Sequence, residues 1–161
     1  MPDLLVTTME KLISLHKRLI DCADQKKTIL IERRVDELNR LVPEEAELIR
    51  QLESLDSERQ QLMADLSEKQ TASSFGEFIE QLPDGAAKDK LQSQLASLQQ
   101  LMAELQEKNR TNEQLLKDSM RFVHHMIEQV TKSKQQNFNY QSPNSQQKSP
   151  TNNRGFFDTK A

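Results

Sequence analysis

The chain of 161 residues contains no tryptophan, only three glycines and only 4% aromatic residues. With few β-branched runs as well, this composition argues against sheets. Cys22 is the only cysteine, so no internal disulfide can form and a reducing cytoplasm is the simplest home. No apolar run approaches the roughly 18 residues that would span a bilayer, and the N-terminus lacks the charged and apolar regions of a secretory signal. There is no P-loop, no Gly-rich phosphate cradle, no nucleophile elbow and no zinc-ligand spacing. An enzyme, a catalytic residue, a metal site and a cofactor are therefore not expected. The net charge of -3 gives no nucleic-acid footprint.

Leu, Glu, Gln, Lys and Ala, all good helix formers, fill the space these absences leave. Leu91, Leu95, Leu98, Met102, Leu105, Asn109, Asn112, Leu116, Ser119, Val123, Met126 and Val130 recur at alternating steps of four and three. That is the a/d seam of a coiled coil, a stripe that must face another helix. Its polar stretch at Asn109, Asn112 and Ser119 either fixes register or loosens the packing. Upstream, Leu5, Met9, Leu12, His16, Leu19, Ala23 and Leu30 form a similar seam that lapses at Lys26, a side chain expected to snorkel or to lie on a thin edge. A second phase follows at Ile31, Val35, Leu38 and Val42, and a third from Leu41 through Glu45, Leu48, Leu52, Leu55, Arg59 and Leu62 to Leu66. Such slips rotate the buried face as a stutter does.

These patterns predict an all-α fold: an elongated antiparallel helical hairpin, or coiled-coil bundle, with a short connecting helix and a disordered C-terminal tail. A helical domain over 1–132 is expected to hold helices at about 3–68, 75–82 and 86–132. Asp3 can cap the first, behind Pro2. Pro43 either kinks that helix or opens a second one as its first residue; the kink is favoured because the apolar spacing resumes without a polar loop. Ser74 caps the short helix, and Pro83-Asp84-Gly85 signals a turn. The last helix would be roughly 70 Å long. An a/d seam suits a monomeric hairpin and a homodimer equally.

Residues 133–161 are rich in Asn, Gln, Ser and Pro, a composition that cannot bury enough area to order itself. Four cations against one anion give this tail +3, so the rest of the chain carries -6. Yet Phe138, Tyr140, Phe156 and Phe157 lie in it, four of the seven aromatics. Large apolar groups in a solvated tail suggest docking points. The histidines and the cysteine carry less. Neighbours on a helix, His124 and His125 point about 100° apart and cannot converge on one ion. His16 is expected as a seam residue and Cys22 as a packed, inert thiol.

Val35-Asp36-Glu37-Leu38, the leucine repeat to Arg59 and Leu62, the segment Asn109-x-x-Asn112-x-x-Leu115-Leu116 with Ser119 and Phe122-Val123, the aromatic at Tyr140 and the terminal Gly155-Phe156-Phe157-Asp158 together resemble the FlgN family of flagellar export chaperones. The resemblance covers almost the whole chain. It implies a cytoplasmic chaperone that binds the C-terminal segments of the hook-filament junction proteins FlgK and FlgL, largely through its own C-terminal part, and brings them to the type III export apparatus.

Read physically, the client segment would dock as a helix against Phe122, Val123, Met126, Ile127 and Val130, with Phe138, Tyr140, Phe156 and Phe157 closing over it. Neither nucleic acid nor membrane insertion enters this reading. The rivals are a structural coiled coil acting by self-association and a regulatory protein that sequesters a partner.

Overall fold

The computed structural model describes residues 2–67 and 74–137. Among the described residues every regular element is a helix: α1 (Pro2–Glu32), α2 (Val35–Leu66), α3 (Phe75–Glu80) and α4 (Ala86–Asn137). None of these is long and apolar enough to cross a membrane. The chain divides into two compact units, Met1–Leu116 and Lys117–Ala161. The all-α class is therefore as expected, and α4 runs beyond the expected end at 132.

The first helical stretch differs from expectation. It is two helices, not one kinked at Pro43. The chain reverses at Arg33-Arg34, where Arg33 takes a left-handed φ of 56°. The Arg34 N–H donates back to the Ile29 carbonyl at 3.1 Å, the six-to-one closure of a helix C-terminus that usually has glycine at the left-handed position. Asp36 and Glu37 then occupy the first turn of α2, where carboxylates complement the helix dipole. Arg34 pairs with both Glu32 and Glu37. Pro43 lies inside α2, neither opening nor ending it. At the other end Pro2 opens α1 and Asp3 sits within its first turn.

Cross-helix contacts give the arrangement of the first unit. Lys26 meets Glu45 and Thr8 meets Glu58, so α1 and α2 run antiparallel. Gln94 bonds the Val6 carbonyl and Asn112 the Ala23 carbonyl, so α4 runs parallel to α1. The antiparallel hairpin thus forms between α1 and α2, and α4 lies along it.

As the shared partner, α1 buries Leu5, Met9, Leu12, His16, Leu19 and Ala23 of the predicted seam, and also Thr8, Leu15, Ile20, Cys22 and Ile29; Leu30, the predicted last seam residue, is only partly buried, and its neighbour Ile29 takes the core position. One core cluster joins Leu15, Leu19, Ile29, Leu41, Leu48 and Leu105 from α1, α2 and α4. The other joins Leu5, Met9 and Leu12 to Phe78, Ile79, Leu91 and Leu98. In that second cluster α3 closes the end of the unit. The Ser74 side chain accepts from the Glu77 N–H at 3.2 Å, as its sequence position predicts. Phe75 stacks on Phe78 with centroids 6.2 Å apart, and the Arg59 guanidinium lies 4.9 Å from the Phe75 ring centre.

Lys26 does not snorkel. Its ammonium donates to Glu45 at 2.8 Å, and both side chains are only about one-sixth exposed, 16% and 17%. This pair fills the gap in the apolar seam with matched charge.

Two stability effects follow. Proline inside an exposed helix costs about 3 kcal/mol, offset by about 1 kcal/mol through its stiffening of the unfolded chain. Pro43→Ala should therefore raise the unfolding free energy by about 2 kcal/mol in urea denaturation. A double-mutant cycle on Lys26 and Glu45 should give a coupling of about 1–2 kcal/mol. The exposed Arg50–Glu47 pair should give about 0.3 kcal/mol.

Candidate functional site

Helix α4 carries two different faces in sequence. In its first part the heptad d positions Leu91, Leu98, Leu105 and Asn112 are buried. They are flanked by the covered a positions Leu95, Asn109 and Leu116 and the covered g positions Gln94, Leu101, Lys108 and Leu115. Met102, placed on the seam by its spacing, is instead 52% exposed; the cover passes over Leu101, on the g side. The e positions here are Gln92, Gln99, Gln106 and Glu113, all exposed.

Two buried amides mark the α1–α4 seam. Gln94 donates to the Val6 carbonyl at 3.0 Å and Asn112 to the Ala23 carbonyl at 2.9 Å. Each leaves its own amide oxygen buried without a protein partner. A buried, unpaired carbonyl costs about 1–3 kcal/mol. Of the two roles open to the polar stretch, Asn112 takes the first: it ties α4 to α1 in one register, at some expense of stability.

The contact pairs 6–94 and 23–112 differ by 88 and 89 residues. From Gln94 to Asn112, α4 therefore keeps one register against α1.

The second unit carries a different face. Met120, Phe122, Val123, Met126, Ile127 and Val130 are each 45–57% exposed. At about 100° per residue all six fall within an arc of about 160°, from Phe122 to Met120. Lys117, Arg121, His124, His125, Glu128 and Lys132 lie outside that arc. Scattered apolar side chains on a surface are ordinary; here six share one helical face. Half-exposed Val, Met, Ile and Phe side chains gain about 1 kcal/mol each when a partner covers them.

The structure thus brings Phe122, Val123, Met126, Ile127 and Val130 onto one face. Phe138, Tyr140, Phe156 and Phe157 lie outside the described residues. Met120 also belongs to the face; its spacing of seven from Ile127 was the available signal.

Other chemistry is sparse. Among the described residues no three His, Cys, Asp or Glu side chains group as a metal site, and His124 and His125 are both exposed. His16 is buried, with Nδ1 2.8 Å from the Leu12 carbonyl. Lys108 donates to Asp24 at 2.6 Å, and this bond holds its pKa above the ordinary lysine value. An open cleft of about 560 Å³ between α1 and α2 is lined by Arg18, Asp21, Glu44 and Glu47, with Cys22 at its side. Burial pushes the Cys22 thiol pKa up, and Glu45 and Glu44 push it further against Lys26 and Arg18.

The family described as FlgN protein matches residues 1–148. The chain belongs to the FlgN family. FlgN-family proteins are flagellar export chaperones, not enzymes. No curated protein and no solved structure matches the chain. The match spans all four helices, so the exposed face of α4 lies within the family region.

In this FlgN-family chain the raised thiol pKa means less thiolate at any given pH. Cys22 should react with iodoacetamide at pH 7.5 at least ~10-fold more slowly than in the unfolded chain. Its rate should still climb with pH above about 8.5, where an ordinary thiol is half ionised. A rate equal to that of the denatured protein would place the thiol at the surface.

Proposed function

We propose that this FlgN-family chain is a cytoplasmic chaperone for the hook-filament junction proteins of the flagellum. In this reading it holds their C-terminal segments on the exposed face of α4 and delivers them to the type III export apparatus. The carrying observation is that face: six apolar side chains half-exposed on one side of a helix. A junction-protein segment that is amphipathic and unassembled has a matching face that would otherwise self-associate. Covering each with the other removes apolar surface from water on both.

The residue types suit this use. Met120 and Met126 are unbranched and polarizable, so the surface can repack around more than one client. Phe122 supplies the largest apolar area. On this reading Phe138, Tyr140, Phe156 and Phe157 add contacts from the tail, and the energy spent on ordering tail and client keeps the complex releasable.

Calorimetric titration of the full chain with the C-terminal segment of each junction protein tests the assignment. Micromolar or tighter binding with a negative heat-capacity change is expected. The paired substitution Val123→Glu and Met126→Glu should weaken binding at least ~100-fold, with the melting temperature unchanged because both positions are already solvated. Unaltered affinity in that variant would move the client site elsewhere.

A further inference from the structure

The lettering of the exposed face says what kind of element covers it. In a two-stranded coiled coil only a and d are apolar, while e and g carry charged residues. Residues 119–130 depart from that on both flanks. Met126 is at d and Val123 and Val130 are at a, but Phe122 stands at g and Met120 and Ile127 at e. The apolar arc of about 160° is far wider than a two-position seam and has the width of a helix face packed on a core of more than one element.

The upstream part of the same helix shows what such a face packs against. There the g and d positions and every a position but Met102 are covered, and the core clusters that hold Leu91, Leu95, Leu98, Leu101 and Leu105 contain residues from both α1 and α2. A three-letter face is thus matched by an antiparallel pair of helices. Residues 119–130 repeat those letters and add the e flank.

We propose that the exposed face of α4 is completed by an antiparallel pair of amphipathic helices from the bound protein, docked as α1 and α2 dock upstream, and not by a single helix. This rests on the reading that the face binds a client. One helix laid along Val123 and Met126 would leave either Phe122 or the Met120–Ile127 edge in water; a pair covers both. Joined in one chain, the second helix also binds at a high effective concentration.

The test uses the full chain and the C-terminal segment of a hook-filament junction protein in two lengths. The last ~20 residues are long enough for one helix and the last ~50 for two joined by a turn. Titration calorimetry should show the long segment binding 1:1 and at least ~10-fold tighter than the short one. Phe122→Glu on one flank and Ile127→Glu on the other should each weaken the long segment at least ~10-fold. Equal 1:1 affinities for the two lengths, or indifference to one flank, would overturn the pair while leaving the docking reading in place. A concentration-dependent dimer in sedimentation, lost in the same variants, would seat a second copy on the face and overturn it too. Binding of neither length would remove the docking reading itself.

Discussion

The reversal at Arg33-Arg34 is the constraint from which the rest of the first unit follows. Once the Arg34 N–H closes on the Ile29 carbonyl, α2 must return along α1, and one flank of α1 is covered. Its other apolar flank then needs a second helix, which α4 supplies. This is why α1 buries eleven residues while α2 buries two.

Polar groups on the α1–α4 seam trade stability for a defined register. Gln94 and Asn112 each make one bond to a main-chain carbonyl of α1 and each leave an oxygen unpaired. Leucine at both positions would pack without that penalty, since removing a half-satisfied amide altogether is often neutral or favourable. It would also let α4 slide by a turn against a uniform row of leucines. A one-turn shift would move Leu91, Leu98 and Leu105 out of the core clusters they occupy. The Lys26–Glu45 pair acts in the same sense between α1 and α2, where matched charge replaces an apolar contact.

Much of this was legible in the residues. The seam of α1 from Leu5 to Ala23, the Ser74 cap, the turn at Pro83-Asp84-Gly85 and the start of α4 at Ala86 all follow from spacing and turn chemistry. The break between α1 and α2 was not legible, because no glycine, proline or asparagine marks it. Arg33 takes a left-handed conformation that arginine rarely adopts, and the only sign was the change of phase between Leu30 and Val35. Pro43 drew attention to itself and is merely accommodated in an exposed part of α2. On α4 the two-letter seam placed Met102 inside because it carried no information on which flank the neighbours would cover; contact with α1 and α2 selected the g side and Leu101. The apolar side chains of the exposed face were legible as a group, since periodicity finds them whether or not anything packs on them. Their exposure was not, because the same spacing serves a covered face and an open one.

A helical face left half-exposed has to be affordable to the free protein. Isolated helices of this length are marginal in water, yet residues 117–137 continue a helix already nucleated at Ala86, so each added residue needs only propagation. Lys134 in the last turn favours the dipole there, and Arg121, His124, His125, Glu128 and Lys132 on the other side keep that side hydrated. On the proposed reading this face is helical before a client arrives, and the ordering entropy on binding falls on the client and on the tail. That division suits a transient complex. A rigid half-site captures quickly and gains about 1 kcal/mol per covered side chain, while the partner's loss of conformational freedom, about 1–2 kcal/mol per backbone residue, offsets much of the gain. The result is an association strong enough to prevent self-association of an amphipathic segment and weak enough to be undone without unfolding the chaperone.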